Sequence, residues 1–482
     1  MTITRNRDYW HSLGQRLPLD GNPVIDGKRT PSSASTTMPG FSPALGDILY
    51  HLPEGSAADV DRAVDAARQA FGDGRWQYQP PLARKAVLLR LAELVDEHHE
   101  ELALMDCLEM GKTISDALGD VSVAAGFFRF YAEAIDKMES PVVASARDTL
   151  AFNLYEPLGV VGAIVPWNYP VINAALKAAP ILAMGNSLVL KPSEIASLSA
   201  LRLADLALEA GLPDGVMNVV PGLGTTVGAA ISGHGDIDMV TFTGSTLTGR
   251  TVMAAAAGSN GKRVALECGG KSPQLVFGDM GRLVDDIAVA AAGEAFANQG
   301  QLCVARTRLL VERSLRDDLV GALDRVIETI EPGDPLDPDT RFGAIASPEQ
   351  WAKIKGYIDG AVREGARSLK PIPRLDPDNG LFIPPVVFTG TDPSMAVVRE
   401  EVFGPVLTVQ TFDTLDEAVM LANDTIYGLA ATAWSRDHGV LHGLMRRLDA
   451  GKVTLRSSAT PTMKAAFSLG SEPFKQSGFG VE

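Results

Sequence analysis

From about residue 160 onward the chain alternates short, unbroken apolar runs with longer amphipathic stretches. The runs fall at 160–165, 187–190, 217–220 and 239–242, and the stretches 171–184 and 196–210 carry apolar residues at helical spacing. Strands of a parallel sheet are covered on both faces, so they read as continuous apolar runs rather than alternating ones. The series therefore predicts a doubly wound α/β domain of dinucleotide-binding type, with ligands expected beyond the carboxyl ends of its strands. A second α/β region is predicted from about 270 to 458.

Ahead of this series, residues up to about Gly55 are rich in Pro, Gly and Ser. Ser56 followed three residues on by Asp59 predicts a helix N-terminus, and Val60, Ala63, Val64, Ala67 and Phe71 continue along one helical face. The stretch 82–110 predicts one longer helix, stopped at Gly111. Residues 139–155 interrupt the first domain with two short β-rich runs, 141–143 and 149–152, which predict a hairpin. Internal repeats are not evident.

A length of 482 residues is too great for one core, so two or three domains are expected. The formal net charge of -16 argues against nucleic acid and anionic membrane as partners, since both need a basic face. Three cysteines, Cys107, Cys268 and Cys303, make no disulfide framework and point to a reducing, cytoplasmic setting. No metal is expected: no Cys-x-x-Cys occurs, and His98 and His99, adjacent on a predicted helix, point in different directions. No signal-peptide h-region and no apolar run of membrane-spanning length is found, so no membrane association is expected.

Three motifs carry chemistry. Cys303 ends Asn298-Gln299-Gly300-Gln301-Leu302-Cys303, Glu267 lies in Leu266-Glu267-Cys268-Gly269-Gly270-Lys271, and Asn168 lies in Pro166-Trp167-Asn168-Tyr169-Pro170. A thiolate can attack a carbonyl and hold the acyl group, and a carboxylate can then take a proton from water to release it. An amide beside them can donate to the oxyanion. Each residue also has a plain reading: a structural cysteine, a solvated strand-end carboxylate, a turn-forming asparagine. Other sequence features suit a nucleotide: Lys191-Pro192-Ser193-Glu194 closes the second run, Gly222-Leu223-Gly224 with Gly228 follows the third, and Phe242-Thr243-Gly244-Ser245 opens a helix after the fourth.

Together these motifs resemble the NAD(P)-dependent aldehyde dehydrogenase superfamily over nearly the whole chain. The nearest resemblance is to the group acting on γ-glutamyl-aminobutyraldehyde, aminoaldehydes and betaine aldehyde. The resemblance implies a Rossmann-like NAD-binding domain over 1–138 and 156–268, and a catalytic domain over 269–458. It implies a small β oligomerisation element from the hairpin 139–155 with 459–482. Cys303 would be the nucleophile, Glu267 the base for the hydrolytic water, Asn168 the oxyanion donor, and Lys177 a residue near the proton exit, where a solvated lysine is an equally good reading. Cofactor contacts would come from Val165, Trp167, Lys191, Ser193, Glu194, Gly224, Gly228, Phe242, Gly244, Ser245, Thr248, Gln350, Lys353, Glu401 and Phe403. Glu194 on the adenosine ribose would accept from its 2′-OH and repel a 2′-phosphate, which favours NAD over NADP. A substrate channel would be lined by Val123, Phe127, Phe130, Tyr169, Asn173, Leu176, Leu302 and Val304, though each apolar member also suits plain core. Cys268 would be a buried spectator.

The implied activity is oxidation of an aldehyde to a carboxylic acid through a cysteine thioester, in a homodimer or homotetramer. A broad aliphatic or aromatic aldehyde is the competing substrate class. The competing functions are a CoA-acylating semialdehyde dehydrogenase, a branch that typically lacks the carboxylate of Glu267, and a non-catalytic paralogue. The C-terminal stretch departs from the family pattern. Val453-Thr454-Leu455-Arg456 stands where a Val-Asn pair is common, and Phe467-Ser468-Leu469-Gly470 where Pro-Phe-Gly-Gly is expected. The sequence stops at Glu482, where relatives continue into a strand that pairs with a neighbouring subunit, so the usual subunit geometry is not carried over.

Overall fold

The structure, a computed structural model, describes residues 5–458 and 472–480. Two sheets organise it. The first has eight strands in the order Lys28–Arg29, Val24–Ile25, Met217–Val219, Ser187–Lys191, Val160–Ile164, Met239–Thr243, Arg263–Glu267, Gly478–Phe479. Its five inner strands are parallel and its edges antiparallel. The apolar runs end within a residue or so of the strands they predict, because covering helices leave no polar face to alternate. The second sheet has seven strands, Arg367–Ser368, Val386–Thr389, Val406–Phe412, Arg308–Glu312, Pro273–Val276, Ala430–Trp434 and Lys452–Arg456, parallel but for the first. Residues 268–272 carry the chain directly from the last parallel strand of one sheet into the other.

The helix Ala57–Gly72 starts on a full capping box between Ser56 and Asp59. The expected single helix over 82–110 is two, Pro81–Glu97 and His99–Met110, broken where His98 leaves helical geometry at φ -97 and ψ 22. Apolar periodicity passes through this break unchanged because Leu94, Val95, Leu102 and Ala103 pack into the same core. Gly111 does end the second helix, at φ +78, where an added Cβ would lie 2.9 Å from Ala344 Cβ.

The hairpin over 139–155 forms through Val142–Val143 and Ala151–Phe152, which pair only with each other. It exposes Val142, Leu150, Phe152, Leu154 and Tyr155. The described part of the C-terminal segment, grouped with this hairpin by resemblance, pairs elsewhere. Phe474–Lys475 pairs with Tyr427–Gly428, and Gly478–Phe479 pairs with Leu266 and Glu267. Ser477 accepts from Cys268 N through its carbonyl at 2.7 Å and donates its hydroxyl to Gly269 O at 2.7 Å. The segment therefore seals the strand end that carries Glu267. Residues 459–471 and 481–482, also assigned to the oligomerisation element, lie outside the described residues. Among the described residues no helix is long and apolar enough to cross a membrane.

Candidate active site

The loop that presents Cys303 is built by an unusual backbone. Asn298 (φ 51, ψ 40), Gln299 (φ 58, ψ 30) and Gly300 (φ 70) are three consecutive residues in the left-handed region. Each non-glycine residue there costs about 1–2 kcal/mol, so the surroundings must enforce it. They do so through amides. Asn298 Nδ2 donates to Asn168 O at 2.9 Å and to Gln301 O at 3.2 Å. Asn168 Nδ2 donates to Gln301 O at 2.9 Å, and Gln301 Oε1 accepts from Ala346 N at 2.9 Å. Gly300 has no alternative, because a Cβ there would stand 2.2 Å from Gly404 O. Nor has Gly270, whose Cβ would meet Cys303 O at 2.5 Å. The Asn-Gln-Gly-Gln string is thus a turn device that locks the thiol loop to the Asn168 loop.

Between the two sheets lies a cavity of about 380 Å³. Its lining includes Cys303, Leu302, Asn168, Tyr169 and Asn173 together with Trp167, Gly244, Ser245, Gln350, Lys353, Glu401 and Phe403. Twelve residues singled out from sequence therefore meet at one place, drawn from five separate stretches of chain. Trp167 and Phe403 pack edge to face with ring centroids 5.4 Å apart. Phe403 sits at φ +56, and Gln350 Nε2 holds that strained turn by donating to Phe403 O at 2.7 Å and Val402 O at 3.2 Å. Gln350 is thus occupied by the loop as well as facing the cavity. Asn173, the expected polar element of the channel, turns its Nδ2 back to Tyr169 O at 2.9 Å.

Burial dominates the electrostatics. The Cys303 thiol is pushed up to about 12 by burial and by the charges of Glu401 and then Glu267. Its resting form is the protonated thiol, so the proton must leave as the sulfur attacks. Glu267, at the carboxyl end of Arg263–Glu267, is raised to about 7 by burial, with Lys177 partly opposing, and its Oε1 is buried with no hydrogen-bond partner among the described residues. Lys177, fully enclosed in the helix Pro170–Ala183, is lowered by burial against the attraction of Glu267. Glu401 is raised by burial, while Gly270 N donates to its Oε1 at 2.9 Å.

The remaining cofactor candidates stand at the strand ends beside the cavity rather than in its wall. Lys191 Nζ is buried and donates to Glu194 Oε2 at 3.0 Å and Pro192 O at 2.9 Å. Val165 N donates to Lys191 O at 3.0 Å, and a Cβ on Gly228 would reach Lys191 Cδ at 3.9 Å. Gly224 begins the turn that leads to Gly228. Phe242 is buried in its strand under Gly244, and Ser245 caps Thr246–Gly258 by accepting from Thr248 N at 3.1 Å. Several expected channel residues are not in the cavity wall: Val123, Leu176 and Val304 are only partly buried elsewhere, Phe130 packs on Tyr131, and Phe127 packs on the first-domain core. The helix Ile114–Ala134 presents its apolar face mostly to that core.

Pro166, Ile172, Thr243, Cys268 and Gly269 line the cavity without having been predicted to. Ile172 was legible, since Tyr169, Ile172, Asn173 and Leu176 share one helical face. Cys268 is buried as expected, yet it forms part of the wall and packs so tightly on the helix Thr246–Gly258 that a Cβ on Gly249 would lie 2.7 Å from its Sγ.

Two largely parallel sheets covered by helices and meeting at a thiol-bearing cavity define an α/β fold of enzyme type. The aldehyde dehydrogenase family model matches residues 30–482, and the chain belongs to that family. It is 43% identical to the NADP/NAD-dependent aldehyde dehydrogenase PuuC of Escherichia coli strain K12, over 98% of this chain and 94% of that protein. It is 41% identical to an aminoacetaldehyde dehydrogenase of Pseudomonas aeruginosa, over 100% of this chain and 95% of that protein. A solved indole-3-acetaldehyde dehydrogenase in complex with NAD+ superposes with a TM-score of 0.96 at 42% identity, covering 99% of this chain and 96% of that one. The expected fold class and enzyme class are those of this family.

Proposed function

We propose that this chain oxidises a small aminoaldehyde to the carboxylic acid with NAD as acceptor, through a thioester on Cys303 that water hydrolyses. The carrying observation is that the Cys303 thiol shares one cavity with Asn168 and with the Glu401–Phe403 turn. The likeness to an aminoacetaldehyde dehydrogenase supports the substrate class. Indole-3-acetaldehyde or a similar aromatic aldehyde is the second reading, favoured by the apolar walls of Trp167, Tyr169, Ile172, Leu302 and Phe403.

The residues present fit NAD. The helix Thr246–Gly258 opens at the cavity with no acidic residue in its first turn, which suits a pyrophosphate on its amides. Lys191 and Glu194, already paired at the strand end, would hold the adenosine ribose, with Ser193, Gly224 and Gly228 around them. Glu194 would disfavour a 2′-phosphate. Glu401 and Phe403, with Lys353, would hold the nicotinamide half. Bound NAD would supply the two-electron acceptor.

The chain's own groups do the rest. As Cys303 Sγ attacks the aldehyde carbon its thiol proton passes to water, and the oxyanion is held by Asn168 Nδ2 and the Cys303 amide. Glu267, raised to about 7, is poised to take a proton from water as that water attacks the thioester. Its presence favours hydrolysis over transfer to CoA. We also propose the two-domain division with residues 139–155 as an oligomerisation hairpin in a homodimer or homotetramer, supported by its exposed apolar side chains. The three unpaired thiols suit a reducing cytoplasm.

The test is NADH or NADPH formation across a panel of aminoaldehydes and aromatic aldehydes, with and without CoA. NAD-dependent turnover without CoA is expected, strongest on aminoaldehydes. Cys303→Ala should abolish it while leaving NAD affinity intact. Turnover retained in that variant, or a strict need for CoA, would overturn the reading.

A further inference from the structure

We infer that Glu109, a residue outside the cavity, is a positioning residue for the adenosine half of the cofactor site; this rests on the reading of Lys191, Ser193 and Glu194 given above. Glu109 lies in the last turn of the helix His99–Met110 and is fully buried. A buried carboxyl is unfavourable unless its oxygens are satisfied. Three donors converge on it. Ser197 N donates to Oε1 at 3.1 Å, Leu198 N donates to Oε2 at 3.0 Å, and the Tyr50 hydroxyl donates to Oε1.

Ser197 and Leu198 begin the helix Leu198–Glu209, which follows directly on the adenosine loop. Ser197 occupies the N-cap position but makes no side-chain cap of its own. Its hydroxyl donates instead to Ser193 O at 2.7 Å. Glu109 thus does from a different helix what a local cap would do, and it frees Ser197 to tie down Ser193. The chain of contacts runs from Glu109 to Ser197 to Ser193, with Ala196 N also donating to Ser193 O at 3.2 Å. Next to Glu109, Met110 packs on Ala196, with Ile195 against the same cluster. The loop of Lys191 to Glu194 therefore takes its position from the end of His99–Met110.

Asp106 supplies the control. It lies one turn earlier on the same helix, is equally buried, and accepts from Val171 N at 3.1 Å, at the start of a different helix; it also meets the Ser199 side chain on Leu198–Glu209, beyond the link from Ser197 to Ser193. The experiment measures ADP and NAD dissociation constants by calorimetry on the folded full chain, together with kcat at saturating NAD. Glu109→Gln replaces one acceptor with an amide N–H that faces a backbone donor, and a weakening of both ADP and NAD by about tenfold is expected, with kcat nearly unchanged. Asp106→Asn should leave ADP affinity as in the unaltered chain; a merely structural role would lower thermal stability in both variants without this selectivity. Ser197→Ala keeps the carboxylate cap and removes only the link to Ser193, and should weaken ADP in the same direction even if Glu109→Gln does not fold. Unchanged ADP affinity in Glu109→Gln and Ser197→Ala, with Glu194→Ala still weakening ADP, would overturn the inference and leave the adenosine site standing. Unchanged affinity in Glu194→Ala as well would overturn that site and the inference with it.

Discussion

The pH dependence of deacylation follows directly from the surroundings of Glu267. Burial raises its carboxyl to about 7, and Lys177 holds it from rising further. Only the ionised form can take a proton from water, so the rate of thioester hydrolysis should rise with pH. With a midpoint near 7, about one-tenth of the enzyme is competent at pH 6, about half at pH 7 and about nine-tenths at pH 8. Deacylation should therefore quicken about fivefold over the lower unit and less than about twofold over the upper one. An exposed glutamate, ionised throughout that range, would give a flat profile. Rapid-mixing experiments separate the two chemical phases: a burst of NADH reports acylation of Cys303, and the following steady rate reports release of the acid. Glu267→Gln should keep the burst, slow the steady phase by roughly 10²–10⁴ and remove its pH dependence. Lys177→Met should shift the midpoint upward, since an attracting cation is gone. A steady phase that is flat from about pH 6 to about pH 8 in the unaltered enzyme, or a Gln variant with the same slope, would refute the reasoning.

Asn168→Ala removes the proposed oxyanion donor and one tie to Gln301, and kcat for the burst phase should fall by roughly 10²–10³; a loss below about threefold would count against the oxyanion role. Gly300→Ala combines a left-handed backbone with a Cβ 2.2 Å from Gly404 O, so activity should be largely lost while NAD affinity, read by fluorescence titration, stays within a few-fold. Glu194→Ala should raise the kcat/KM for NADP relative to NAD by lifting repulsion of a 2′-phosphate; an unchanged ratio would remove Glu194 from cofactor selection.

The primary structure alone determined much of the local architecture. Four inner strands of the first sheet, the Ser56 capping box, the stop at Gly111 and the hairpin all follow from periods, caps and glycines, which are properties of neighbouring residues. The motif residues Asn168, Cys303, Glu401 and Phe403 were also legible, because short strings with glycine and asparagine record backbone shapes that few other residues tolerate. Tertiary structure decided what depends on residues far apart in the chain. The break at His98 interrupts no apolar period. The pairing of 478–479 with the strand end of Glu267 rests on partners about two hundred residues away. Ile114–Ala134 carries apolar residues that suit either a channel or a core, and only packing chose the core for most of them. Glu109 reads in sequence as a polar residue on an apolar helix; it becomes intelligible when the amides of Ser197 and Leu198 arrive beside it. Local periodicity encodes which face of an element is buried, whereas desolvation and hydrogen-bond satisfaction depend on what that face meets.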